Sequence, residues 1–378
     1  MRVLLTGGGT AGHINPALAI AETVRRNAPG SEVAFVGIRG GKEEDLVPRE
    51  GYELYYVSSR GIRRSLSPRA MLSNAHALWL AAFSPYYPST RAILDRFRPD
   101  VVIGTGGYAC WPIMAAAARR GIPTAVHESN ALPGLAVRRL QGRVDRIWTN
   151  FDRTASLLRP TDRLRRVGNP LRGGFGGVTR EEARRRLGMR EGERLVLCFG
   201  GSLGAEAVNR AVLRMMQVLA PTAPDVRFLL SSGKRDGAAC RALFSEYGLD
   251  RYPNCTLTDY IYDMPICMAA AELAVARAGA VTLSELGRLG LPSVLIPSPN
   301  VADDHQYHNA KALADAGAAV LIREEELPSG RLHEAVGDLL ADAAGLAAMG
   351  RASAALSDTD ADRLIWEDIV ALVGEQKK

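Results

Sequence analysis

A chain of 378 residues, 47% of them hydrophobic, has the material for two ordinary cores, which excludes a protein disordered along its whole length. Lysine and arginine number 47 against 41 aspartates and glutamates, and the net charge of +6 points to an anionic partner: a phosphorylated substrate, an acidic membrane surface or a nucleic acid. The five cysteines, Cys110, Cys198, Cys240, Cys255 and Cys267, are scattered without a C-x-x-C pair and fit small buried hydrophobes in a reducing compartment.

The chain opens on a short apolar run, Val3-Leu4-Leu5, then a glycine cluster over residues 7–12 and the periodic stretch Pro16-Ala17-Leu18-Ala19-Ile20-Ala21, which reads as strand, tight turn and helix. So early a strand leaves no room for a secretory leader, and the expectation is a protein that stays inside the cell. A second strand follows at Val33-Phe35-Val36. Residues 70–90 carry no formal charge, but Ser73, Asn74, His76, Ser84, Pro85 and Pro88 interrupt them, so they fail as a membrane span. Met71, Leu72, Ala75, Trp79, Ala82 and Phe83 instead recur with helical spacing after a Ser67-Pro68 helix start, beside Arg60, Arg63, Arg64 and Arg69. Two readings stay open there: a core-facing helix, or a basic-flanked patch that rests on an anionic membrane.

Further strands are expected at Val101-Val102-Ile103 and Thr124-Ala125-Val126, before a break at Val167-Gly168-Asn169-Pro170. The opening grammar then recurs: Leu195-Val196-Leu197-Cys198-Phe199, Gly200-Gly201-Ser202-Leu203-Gly204, and a helix through Val208, Val212 and Leu213. Strands at Phe228-Leu229-Leu230, Leu273-Ala274-Val275 and Val294-Leu295-Ile296 complete the second half. Alternation of this kind predicts an α/β protein with two Rossmann-like, doubly wound domains, residues 1–166 and 167–362, facing across a cleft. An amphipathic segment from about Arg363 is placed as a helix, residues 363–378, returning to the first domain. Asp358-Thr359-Asp360 superficially resembles a D-x-D metal motif, but its place before that helix makes it a run of helix-start acids.

Glycines after a strand allow a tight turn, and the helix that follows aims N–H groups and its positive end at an anion. One such interaction is worth about 0.3–1 kcal/mol, so holding a pyrophosphate takes several loops. Four candidates stand at residues 7–12, 104–107, 200–204 and Arg277-Ala278-Gly279-Ala280. Gly7-x-Gly9-x-x-Gly12 also fits the dinucleotide fingerprint, yet the second strand ends at Gly37-Ile38-Arg39 without the expected acid, leaving at most an NADP variant of that reading. No His/Cys cluster has metal-ligand spacing. Arg184, Arg185 and Arg186 lack interleaved aromatics and read as a solvated face, not a nucleic-acid site.

Seven ordered motifs carry a more specific likeness: Gly8-Gly9-Thr10-Ala11-Gly12-His13, Gly106-Gly107-Tyr108, His127-Glu128-Ser129-Asn130, Gly168-Asn169-Pro170-Leu171-Arg172, Gly200-Gly201-Ser202-Leu203-Gly204, Ala280-Val281-Thr282-Leu283-Ser284-Glu285, and His305-Gln306 through Asn309. With them the chain resembles the MurG family, the undecaprenyl-diphospho-muramoylpentapeptide N-acetylglucosaminyltransferases of glycosyltransferase family 28. That resemblance implies a GT-B fold, no cofactor, no bound metal, and inverting transfer of N-acetylglucosamine from UDP-N-acetylglucosamine to the C4 hydroxyl of muramic acid in lipid I, giving lipid II for the cell wall. It also implies peripheral attachment to the cytoplasmic face of the cell membrane and contacts with cell-wall or division proteins. Carried over by motif, Thr10, Ala11, Gly12, Asn130, Arg172, Ser202, Ile261, Ala280, Val281, Thr282, Leu283, Ser284, Glu285 and Gln306 serve the donor, Glu285 on the ribose hydroxyls, and Gly9 and Tyr108 serve the acceptor.

A sugar hydroxyl that attacks needs a base. His13, or the pair His127 and Glu128, supplies that chemistry, and the sequence leaves the choice open. The bland alternatives are a histidine that packs its helix and, for Glu285, a solvated helix charge. Ala11 stands where many members have glycine, and a Cβ there clashes if the loop needs a positive φ; Cys110-Trp111 is bulkier than expected beside the acceptor motif. Competing readings at the level of function are another GT-B enzyme, acting on a different acceptor or epimerising UDP-N-acetylglucosamine, and a non-catalytic nucleotide-binding scaffold.

Overall fold

The structure, a computed structural model, describes residues 1–59, 86–159, 161–173, 175–357 and 359–376. The basic-flanked stripe at residues 60–83 and Asp358 therefore lie outside the described residues. The chain divides into two compact units, one of Met1–Arg172 with Thr359–Lys378 and one of Gly173–Asp358.

The first unit holds β1 (Arg2–Thr6), β2 (Glu32–Gly37), β3 (Glu53–Tyr56), β4 (Val101–Gly104), β5 (Thr124–Glu128), β6 (Arg146–Thr149) and β7 (Leu164–Arg166). They form one parallel sheet in the order β3-β2-β1-β4-β5-β6-β7. The second unit repeats the plan with β8 (Arg194–Phe199), β9 (Val226–Ser231), β10 (Cys255–Thr258), β11 (Leu273–Ala276), β12 (Ser293–Leu295) and β13 (Ala319–Leu321), in the order β10-β9-β8-β11-β12-β13. Helices cover both faces, so central strands are continuous apolar runs rather than alternating ones: Val3, Leu4 and Leu5 are all fully buried. Val3 and Leu5 face one layer with Ile14 and Ile20, while Leu4 faces the other with Ile113 and Met114.

The strands that the apolar runs do not reveal are β3, β6, β7, β10 and β13. Most lie at or near sheet edges, are three or four residues long, and carry polar or half-exposed positions such as Arg165, Arg166, Thr256 and Thr258. The helix Ala361–Gln376 packs Ile365, Ile369, Leu372 and Val373 into the first unit's core beside helix Ala11–Asn27. Each such burial is worth about 1.5–3 kcal/mol. Asp368 on that helix accepts from the buried Trp148 indole N–H (2.7 Å) and from Arg165 (2.7 Å). Asp360 accepts from the Arg363 amide at the helix start (3.2 Å).

Both strand orders reverse direction once, between β1 and β4 and between β8 and β11. At such a switch point the loops leaving neighbouring carboxyl ends diverge to opposite faces, and a ligand crevice opens there. All four glycine loops singled out in the sequence leave the carboxyl ends of these four strands.

Candidate functional site

In the first unit the loop after β1 meets the loop after β4. The Thr105 hydroxyl donates to the His13 carbonyl (2.7 Å) and sits 3.3 Å from the Thr6 carbonyl, while His13 Nδ1 lies 3.0 Å from the Thr105 carbonyl. A carbonyl oxygen only accepts, so Nδ1 carries the proton and, in the neutral ring, Nε2 does not. Gly106, at φ +95°, passes under the imidazole so closely that a Cβ would stand 2.8 Å from Nδ1. His13 is thus half-buried, oriented and set in one tautomer at the start of helix Ala11–Asn27. Ala11 begins that helix and is not among the described residues of positive φ, so its Cβ carries no left-handed strain. Cys110 points inward beneath Gly104, and burial pushes its thiol up to about 12.

His127 and Glu128 are placed differently. His127 is fully buried, its Nε2 donates to the Gly168 carbonyl (2.8 Å), and the Ser129 hydroxyl stands 3.3 Å from Nδ1. Burial pulls its pKa down to about 4 despite the Gly168 bond, and nearby His13 adds to the lowering. Glu128, 2% exposed, spends one oxygen on the backbone and side-chain nitrogens of Asn130 (both 3.0 Å) and the other on the Gly134 amide (2.7 Å). An enclosed ring and a carboxylate with three hydrogen bonds thus hold the loop after β5, and the expected acid/base pair lies almost wholly out of solvent. Arg172 likewise stays in the first unit, bonded to Glu22 (2.9 Å) and Glu50 (2.7 Å).

The sequence reading missed Glu43. Its carboxylate is 1% exposed and accepts from the amides of Gly9 (3.2 Å) and Ile38 (3.0 Å). The signal available was an acid opening a helix just past Gly40-Gly41-Lys42. Gly9, at φ +87°, lies under the Tyr108 ring, where a Cβ would meet Cε1 at 2.7 Å.

In the second unit, helix Ala280–Leu289 starts at Gly279, which has no side chain to cap it. Asn309 steadies the turn before it by donating to the Ala278 carbonyl (3.2 Å), and Arg277 bonds the Ile296 and Pro297 carbonyls and Glu324. Within the expected donor run, Ala280 and Leu283 are buried, and the buried Ser284 hydroxyl bonds back to the Ala280 carbonyl (3.0 Å). The side chains left at the helix surface are Val281, Thr282 and Glu285. Glu285 is half-buried with no ion pair or hydrogen bond among the described residues, and desolvation pushes its carboxyl up to about 8.

Ser202 is exposed at the tip of the loop after β8, its carbonyl accepting from the Lys234 amide (3.3 Å). Ile261 is half-buried between Tyr260 and Tyr262, whose rings sit 5.0 Å apart, with Tyr262 84% exposed. Gln306 accepts from the Ser298 amide through Oε1 (2.9 Å), just beyond Asp303 and Asp304, which are both held left-handed. Among the described residues no three His, Cys, Asp or Glu side chains gather as a metal site, and no helix is long and apolar enough to cross a membrane.

Residues 3–149 match the glycosyltransferase family 28 N-terminal domain and residues 195–365 the family 28 C-terminal domain. A relative from Acetivibrio thermocellus, named UDP-N-acetylglucosamine--N-acetylmuramyl-(pentapeptide) pyrophosphoryl-undecaprenol N-acetylglucosamine transferase, is 40% identical over 98% of this chain and 97% of its own length. A relative of the same name from Desulforudis audaxviator is 39% identical over 99% of both. Among solved structures, Acinetobacter baumannii MurG superposes with a TM-score of 0.77 at 26% identity, covering 98% of this chain and 99% of that one. A Neisseria meningitidis UDP-GlcNAc 2-epimerase, 14% identical with a TM-score of 0.66 over 98% of this chain and all of that one, shares the fold.

Proposed function

The chain belongs to glycosyltransferase family 28, and on that footing we propose how it works as an N-acetylglucosamine transferase acting on N-acetylmuramyl-(pentapeptide) pyrophosphoryl-undecaprenol. The protein is an enzyme of the GT-B fold that takes the sugar from UDP-N-acetylglucosamine and completes the lipid-linked precursor of peptidoglycan.

His13 Nε2 takes the proton from the C4 hydroxyl of muramic acid as its oxygen attacks the anomeric carbon. The bond from that carbon to the UDP oxygen breaks, the configuration inverts, and UDP leaves with the bonding pair. No cofactor enters these steps. The uncapped start of helix Ala280–Leu289 faces the departing diphosphate with N–H groups and the helix dipole, which counters charge without a metal. Val281 and Thr282 sit on that turn, Glu285 takes the ribose hydroxyls, the Ile261 backbone the uracil, Ser202 the phosphates and Gln306 the sugar. Gly9 and Tyr108 hold the acceptor, while His127, Glu128 and Asn130 keep the loop after β5 in shape. The observation that carries this reading is the orientation of His13 by Thr105 and Gly106 in a chain that matches both family domains.

The test is UDP release from UDP-N-acetylglucosamine with and without a lipid I analogue, in EDTA, with UDP-glucose and NADPH as competitors. Acceptor-dependent release that survives EDTA and resists both competitors is expected. Release that ignores the acceptor removes the proposed chemistry.

We place the enzyme on the cytoplasmic face of the cell membrane, held by the arginine-flanked stripe at residues 60–83, on the strength of its sequence and the lipid-borne acceptor. Flotation with anionic liposomes is expected to recover the protein, and Trp79→Ala with Phe83→Ala to reduce recovery. Equal recovery on neutral lipid, untouched by both changes, refutes the placement.

A further inference from the structure

We infer that Glu43 is a positioning residue of the transfer: its carboxylate fills the anion place of the first glycine loop, fixing Gly9 and the ring of Tyr108 above it. In a dinucleotide-binding fold, the amides of this loop face a pyrophosphate. Here the Gly9 amide donates to Glu43 instead, and a second bond from Ile38 holds the same carboxylate. The Gly9 amide is thereby occupied by the chain's own anion.

Three glycines, Gly8 after β1, Gly37 at the end of β2 and Gly41 in the loop that follows it, make room for that group. A Cβ would stand 2.6 Å from the carboxylate oxygen at Gly8, 2.4 Å from Cγ at Gly37 and 2.4 Å from the other oxygen at Gly41. Burying a carboxylate is costly unless it is hydrogen-bonded, so this cradle sets one loop conformation and penalises others. The consequence reaches the surface through Gly9. Tyr108 packs directly on it, and the phenol is pushed up first by burial and then by the Glu43 charge. Tyr108, 36% exposed, is the ring assigned above to the acceptor. This inference rests on the transferase reading above.

The experiment compares wild type, Glu43→Gln, Gly9→Ala and the double variant by steady-state kinetics with the lipid I analogue, and measures UDP affinity by calorimetry. Glutamine keeps the shape but turns an amide NH2 toward one backbone donor, and alanine at Gly9 displaces the Tyr108 ring while leaving the carboxylate. Each is expected to lower kcat/KM for the acceptor by about tenfold or more, with UDP affinity within about twofold and a double variant well short of the product of the two. An active wild type with unchanged acceptor kinetics in Glu43→Gln overturns the inference alone, as does a fall in UDP affinity that parallels the loss of activity in both single variants. A wild type without acceptor-dependent release sinks the transferase reading and the inference with it.

Discussion

His13→Ala is expected to lower kcat by about 10²–10⁴-fold, the usual worth of a positioned general base, while UDP affinity stays within about twofold. The split follows from placement. His13 belongs to the first unit, whereas the helix start assigned to the diphosphate belongs to the second. The imidazole is held by the Thr105 carbonyl on one nitrogen, so removing the ring removes the lone pair and leaves the loop's backbone contacts. Gly106→Ala offers an independent approach, because its Cβ would stand 2.8 Å from Nδ1 and its φ of +95° disfavours any side chain. Its loss should be smaller than that of His13→Ala, and the two together should cost about the same as His13→Ala alone. Full turnover by His13→Ala in the acceptor-dependent assay would eliminate His13 as the base.

Glu285→Ala is expected to weaken UDP binding by about 10–100-fold, the equivalent of losing a hydrogen bond to a charged group at about 1.5–3 kcal/mol. The carboxyl is half-buried and has no partner among the described residues, and desolvation raises it to about 8 from the ordinary 4.5. Ribose hydroxyls donating to it favour the ionised form. Nucleotide affinity should therefore rise with pH toward and through about 8, and binding near neutral pH should release protons, visible as buffer-dependent heats in calorimetry. Folding is linked with the opposite sign. The folded state holds the proton more tightly, so this group costs stability as pH rises from about 4.5 to about 8. Glu285→Gln should then gain stability relative to wild type at pH 8 and above, change little near pH 4.5, and bind UDP with a flat pH profile. A pH-independent UDP affinity in the wild type would contradict the assignment of Glu285 to the ribose.

The readable parts of the fold were its central strands. Runs such as Val3-Leu4-Leu5 and Leu195-Val196-Leu197-Cys198-Phe199 are buried on both faces, and no polar residue interrupts them. Edge strands such as Leu164–Arg166 and Cys255–Thr258 meet solvent, so arginine and threonine dilute the signal. At the site, the glycine clusters were legible because tight turns after strands need glycine. Glu43 was not, since Gly8 and the Gly9 amide, which complete the surroundings of its carboxylate, come to it only on folding.

The sequence by itself determined the family, the two Rossmann-like sheets and the loops that carry the chemistry, because hydrophobic period and turn residues are local properties. Only the tertiary structure sets the two histidines apart in burial and partners. His13 lies in the first turn of the helix after β1 and His127 within β5 of the same sheet, yet one is half-buried and oriented by the Thr105 carbonyl and the other is enclosed against Gly168. The same holds within helix Ala280–Leu289, where Leu283 and Ser284 turn inward and Glu285 stays half-buried at the surface. Burial and partner choice are set by distant segments brought together on folding, and no local pattern encodes them.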